Sequence, residues 1–194
     1  QSRIAPNFGL DEACNGGFKD VAACRTGVDP TVVLWGDSFA MHLASGMEAS
    51  AQGAVLQQHT RNSCAPVRGL VQFDVGGTRA WSEDCIAFNE DVLAWLATQD
   101  QVELVVMSSM LQLRDSQRLL TSEGGFVQED LDLAVIEGLV ASARAVQATG
   151  ARVVLVAPTP RQHWDIGQCL VRRVIYGRDA SACDFDLQPD ADLR

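Results

Sequence analysis

A serine that directly follows a buried strand and opens a helix can act as a nucleophile. Ser38 is in that position, at the end of Leu34-Trp35-Gly36-Asp37-Ser38. Its hydroxyl would project from the edge of the sheet, and its own N–H would be one of the unpaired donors at a helix start. The dipole of that helix favours developing negative charge, such as the oxyanion of an acyl transfer. Gly36 permits a tight turn beside a substrate, and Asp37 can order the turn by accepting bonds from backbone N–H groups. The chemistry this suggests is acyl transfer through a serine ester.

The surrounding elements follow from patterning. Thr31 to Trp35 is continuously apolar and β-branched, as in a strand buried on both faces. Phe39, Leu43 and Met47 recur at helical spacing immediately after it. A short second strand is predicted over 54–58, a loop over 60–80, and a helix over 85–96 with Ser82 as N-cap. A third strand is expected over 102–107. A long helix of about 129–149 carries Leu131, Val135, Leu139 and Val146 on one face and stops at Gly150. The fourth strand runs over 152–157 and is ended by Pro158 and Pro160; no further regular element is expected. Apolar strands alternating with amphipathic helices imply a parallel sheet covered on both sides, with all strand C-termini on one edge. Ligands bind at that edge in open α/β sheets. Segments 36–39, 59–66, 108–115 and 158–165 converge there.

The chain has 194 residues and a net charge of -10, from 15 basic and 25 acidic residues. This fits one domain over 1–194, and the charge argues against a nucleic-acid partner. Residues 1–30 read as an irregular lead-in. The start at Gln1 suggests a processed or excised piece. No run approaches the length of a membrane helix. Cys14, Cys24, Cys64, Cys85, Cys169 and Cys183 form an even set with no C-x-x-C pair. That favours disulfides in an oxidising compartment over zinc or redox chemistry. Fifteen connectivities are possible. The local one, Cys14–Cys24, Cys64–Cys85 and Cys169–Cys183, closes three short loops, each worth about 3 kcal/mol.

Val33 to Leu43 resembles the first motif of the SGNH (GDSL-type) hydrolase superfamily. It is closer still to the periplasmic SGNH domains fused to, or working with, membrane acyltransferase-3 proteins, which read L-W-G-D-S-H-A-x-H-L at this point. Ser63-Cys64-Ala65-Pro66 is similar to the subgroup's segment after the second strand. Val153 to Pro160, followed by Cys169-Leu170, is similar to its fourth strand and the cysteine beyond. The lead-in Asn7-Phe8-Gly9-Leu10 with Cys14 and Cys24 also fits.

The resemblance implies a flavodoxin-like three-layer α/β/α sandwich with a parallel sheet. It also implies a periplasmic domain, tethered to the inner membrane in the full-length protein, that transfers an acyl group, such as acetyl, to a carbohydrate. Ser38 would be the nucleophile, and a membrane acyltransferase-3 partner would supply the acyl group. No metal or organic cofactor is implied. An esterase acting on acylated carbohydrate, or a non-catalytic domain that binds polysaccharide or a partner, are the alternative readings.

The superfamily usually offers a Gly after the second strand and an Asn after the third as oxyanion donors. Here those places fall at Asn62 and Ser63 and at Ser108, Ser109 and Met110, so Asp37, Asn62, Ser63, Ser108 and Ser109 are expected to line the site. The family's catalytic D-x-x-H motif does not occur in this chain, which is read as ending before that segment. The histidines are His42, His59 and His163. His163 follows the fourth strand with Asp165 nearby and is a candidate base. His42 is expected to pack locally, and His59 to be a solvated loop residue. Trp164 and Trp81 are candidates for stacking on sugars, Trp95 is expected in the core, and Arg172-Arg173 on a solvated face.

Overall fold

The computed structural model describes residues 6–50, 53–73, 78–111, 116–158 and 165–186. The chain divides into two units, 1–158 and 159–194.

In the first unit, four parallel strands form one sheet: β1 (Val32–Gly36), β2 (Leu56–Thr60), β4 (Leu104–Ser108) and β7 (Arg152–Val156). Their order is β2-β1-β4-β7. The register aligns Thr60, Gly36, Ser108 and Val156 along one edge. Three helices cross between the strands: α1 (Ser38–Ser50), α2 (Arg79–Leu96) and α3 (Leu131–Gln147). Strand side chains alternate between the two faces. Leu34, Leu56 and Val106 pack with Ala40 and Ala44 of α1 on one face. Val33, Trp35, Val105 and Met107 pack with Phe88, Val92 and Leu96 of α2 and Val146 of α3 on the other. The result is the expected α/β/α layering. Each fully buried large apolar side chain contributes about 1.5–3 kcal/mol.

A second, antiparallel sheet of order β3-β5-β6 grows out of the connections at the strand C-termini. It comprises β3 (Leu70–Gln72), β5 (Leu119–Thr121) and β6 (Phe126–Val127). Its strands are only two or three residues long. That is too short for an alternating pattern to stand out in the sequence, where 60–80 reads as loop.

The lead-in covers the outer edge of β2. The Gly16 N–H donates to the Thr60 carbonyl and the Thr26 N–H to the Leu56 carbonyl. In return the Thr26 hydroxyl accepts from the Leu56 N–H at 2.9 Å. The Cys14–Cys24 disulfide closes the loop that makes these contacts. The second strand runs over 56–60, two residues beyond the predicted 54–58, and two of its polar side chains, Gln58 and Thr60, find partners in the lead-in. Gln58 Nε2 donates to the Phe8 carbonyl and to Thr60 Oγ1, both at 2.7 Å.

Other boundaries also shift. Thr78, not Ser82, caps α2, its hydroxyl accepting from the Trp81 N–H at 3.2 Å. Ser82 lies one turn inside the helix, buried, and donates to the Gln72 carbonyl at 3.1 Å. Cys64–Cys85 joins the connection after β2 to α2.

In the second unit, α4 (Ile166–Ile175) is a helix the sequence reading did not anticipate. Asp165 caps it by accepting from the Gln168 N–H at 2.8 Å, and Cys169–Cys183 fastens it to a 3-10 turn at Ala180–Cys183. All three disulfides have the local pairing, and they fit an exported domain. Among the described residues no helix is long and apolar enough to cross a membrane.

Candidate active site at the start of the first helix

Strand β1 ends at Gly36, where the chain passes against β4. A Cβ at Gly36 would lie 1.8 Å from the Ser108 carbonyl oxygen, so no larger residue fits this crossing. The Asp37 N–H donates to that same oxygen at 3.3 Å, and the Arg61 N–H donates to the Gly36 carbonyl at 3.0 Å. The ends of β1, β2 and β4 are thereby joined around one turn.

Asp37 is the N-cap of α1. Its carbonyl accepts from the Met41 N–H, and its Oδ1 accepts from the Phe39 N–H at 2.8 Å. Its Oδ2 accepts from the Ser109 hydroxyl at 2.6 Å and the Met110 N–H at 3.0 Å. Ser109 Oγ in turn accepts from the Leu111 N–H at 3.0 Å. One buried carboxylate therefore holds the start of α1 and the loop after β4 together. Burial pushes its pKa up from the ordinary carboxylate value, opposed by the bonds from Ser109, Phe39 and Met110 and by the nearby His42.

Ser38 follows as the first residue of α1, half-buried. Its N–H belongs to the first turn, where no intrahelical acceptor exists. The site thus has a hydroxyl at a helix N-terminus that Asp37 caps, over a hydrogen-bonded turn.

The structure brings Asp37, Ser38, Ser108 and Ser109 together. Ser108 and Ser109 are buried behind the turn, and the Ser109 hydroxyl is engaged by Asp37. Asn62 and Ser63 lie in the adjoining turn after β2. The Asn62 N–H is bonded to Asn15 Oδ1 at 2.9 Å, while Ser63 has left-handed backbone (φ 59°) and its carbonyl accepts from Gln72 Nε2. His163 and Trp164 lie outside the described residues.

His59 is not a solvated loop residue. It sits inside β2, 2 % exposed, with Phe18 stacked at 4.9 Å and Trp95 edge-on at 4.6 Å. Desolvation lowers its pKa to about 3, so it is neutral at physiological pH. His42 is exposed on α1, one turn after Ser38, with its ring against Phe39 at 6.3 Å.

Two supporting residues escaped the sequence reading. Asn89 of α2 accepts from Trp35 Nε1 at 3.0 Å and donates to the Ala65 carbonyl at 2.9 Å, which fixes the connection after β2 to the central strand. No spacing rule reveals such a residue. Arg61 was legible in principle as the residue directly after the second strand, had that strand's end been placed at Thr60.

A family model described as the SGNH domain fused to AT3 domains matches residues 10–191. Among solved structures, the chain is similar to the periplasmic domain of the lipopolysaccharide acetyltransferase of Salmonella ser. Paratyphi A. The TM-score is 0.52 at 14% identity, over 75% of this chain and 51% of that one. That likeness is one of fold, and this chain spans about half the length of that domain. No curated protein matches the chain.

Proposed function

The chain belongs to the family of SGNH domains fused to AT3 domains, and from that premise we propose that Ser38 carries an acyl group as an ester and passes it to a carbohydrate hydroxyl. The family gives the domain an acyltransferase- or esterase-type role. The observation that supports the finer reading is the turn itself: a half-buried serine hydroxyl at a helix N-terminus, over a carboxylate locked by three hydrogen bonds.

Ser38 Oγ attacks the donor's acyl carbonyl while its proton passes to a base. The oxyanion forms beside the Ser38 N–H and the positive end of α1. The donor's leaving group departs and the Ser38 ester remains. A sugar hydroxyl then attacks that ester, gives its proton to the base, and leaves with the acyl group as the bond to Ser38 breaks. With water in place of the sugar, the same steps describe an esterase.

Serine needs a base to react at neutral pH. His59 is unsuited, being enclosed between Phe18 and Trp95. Within this sequence, which holds no D-x-x-H motif, the candidate base is His163, with Asp165 close in sequence. The domain would work in the periplasm beside a membrane acyltransferase-3 domain that delivers the acyl group.

The test is Ser38→Ala in the full-length protein, with the products separated. O-acylated oligosaccharide formed by the parent and lost in the variant supports transfer. Free acid as sole product makes the domain an esterase. Equal activity in both proteins removes Ser38 from the mechanism.

A further inference from the structure

The Ser109 hydroxyl is committed on both sides. It accepts from the Leu111 N–H at 3.0 Å and gives its proton to Asp37 Oδ2 at 2.6 Å. A serine has one proton to donate, so this buried side chain keeps none for a substrate oxyanion. The N–H groups of Met110 and Leu111 are also used, on Asp37 and on Ser109 Oγ. The segment after β4 therefore turns its donors toward Asp37 rather than toward a substrate.

Its backbone is bent to do so. Leu111 has φ 53°, a left-handed conformation unfavourable for a residue with a Cβ. The bond to Ser109 Oγ and the packing of Leu111 with Ala65, Val67 and Val135 offset that cost. A chain of bonds thus runs from the bent loop through Ser109 to the carboxylate that caps α1.

This chain controls the direction of a charge. Asp37 directly precedes Ser38, and its three partners, the Phe39 N–H, the Met110 N–H and the Ser109 hydroxyl, all donate, as an ionised carboxylate requires. Without the loop after β4, Oδ2 would turn to the unpaired N–H groups of the first turn of α1, that of Ser38 among them. There it would compete with an oxyanion for the same donor and repel it.

We propose that Ser109 is a positioning residue, whose hydroxyl holds the Asp37 carboxylate away from the oxyanion that forms beside Ser38. The inference rests on the reading of Ser38 as an acyl-transfer nucleophile, and it adds how the charge at that site is set. Ser109 itself touches no reacting atom.

The test is steady-state hydrolysis of p-nitrophenyl acetate by the full-length protein and its variants. Ser109→Ala is expected to lower kcat about tenfold with KM changed by less than about twofold. Ser109→Thr and Ser109→Val have the same shape and differ in the hydroxyl, so Thr should exceed Val in kcat by about tenfold, whatever the added bulk costs both. In an Asp37→Asn background, which lacks the charge, Ser109→Ala should cost under about twofold more. A serine that only supports packing would cost the same in both backgrounds. Full kcat in Ser109→Ala, equal kcat in the Thr and Val variants, or equal losses in the two backgrounds would each overturn the proposal. Ser38→Ala separates this outcome from the reading beneath it. If that variant is inactive while Ser109→Ala keeps full kcat, the positioning role alone falls; if it hydrolyses the ester at the parent rate, both fall.

Discussion

The two outer strands of the parallel sheet invert what hydropathy suggests. β2 reads Leu-Gln-Gln-His-Thr and all five residues are buried; β7 reads Arg-Val-Val-Leu-Val and none is. Gln57 and His59 are 0% and 2% exposed, whereas Val154 and Leu155 are 45% and 52% exposed. The difference lies in what covers each strand. The disulfide-closed lead-in bonds to the β2 backbone and lays Phe18 over His59. Among the described residues no strand pairs with the outer edge of β7. Burial in this sheet follows the neighbouring chain more than the strand's own composition, and polar side chains are tolerated where they are enclosed.

The comparison can be broken in order of expected effect. The largest is an acid response. Burial lowers the His59 pKa to about 3 in the folded chain, from the ordinary imidazole value of 6.5. The unfolded chain therefore binds a proton through this window and the folded chain does not. Stability is unaffected by His59 above about pH 7 and falls as the pH drops from 6.5 toward 3. The full penalty is on the order of 5 kcal/mol. Denaturant unfolding of the parent and of His59→Phe at pH 7 and pH 4 checks this: the variant should lose less stability on acidification. Asp37 works in the opposite sense. Its raised pKa means that the folded chain takes up a proton first, which favours folding as the pH falls, and it is common to both proteins.

Next in size are the lead-in and the covered face of β2. Replacing Cys14 and Cys24 by Ser should cost about 3 kcal/mol through the unfolded chain. It should also speed amide exchange in β2 while leaving β7 unchanged. Leu56→Ala removes a side chain that is 1% exposed and should cost about 2–4 kcal/mol. The smallest effect is expected on the other edge. Leu155→Ala, at 52% exposure, should cost under about 1 kcal/mol. Equal losses for Leu56→Ala and Leu155→Ala in urea unfolding would erase the distinction between the edges.

The same contrast explains what the sequence made legible. β1 and β4 are apolar up to their last residues, Gly36 and Ser108, and buried from their second residue on, so their strand character shows directly. The turn that carries Ser38 is readable because Gly36-Asp37-Ser38 falls at the end of such a strand. The polar strand β2 was placed two residues early, since nothing in Gln57 to Thr60 discloses that a distant segment will cover it. The role of Ser109 was hidden for a related reason: its bond to Asp37 spans 72 residues, and no local pattern encodes a contact of that range. Helix α4 is legible in the sequence, since Ile166, Leu170, Val171, Val174 and Ile175 recur at helical spacing behind the Asp165 cap, with Arg172 and Arg173 between them as a polar face requires.

The most direct test of the central claim is to quench the full-length protein during turnover with an acetyl donor and sequence its peptides by mass spectrometry. An acetyl ester should appear on Ser38, build up when the carbohydrate acceptor is withheld, and discharge when it is added. Turnover that proceeds with Ser38 unmodified at every time point, or an ester on another residue, would contradict it.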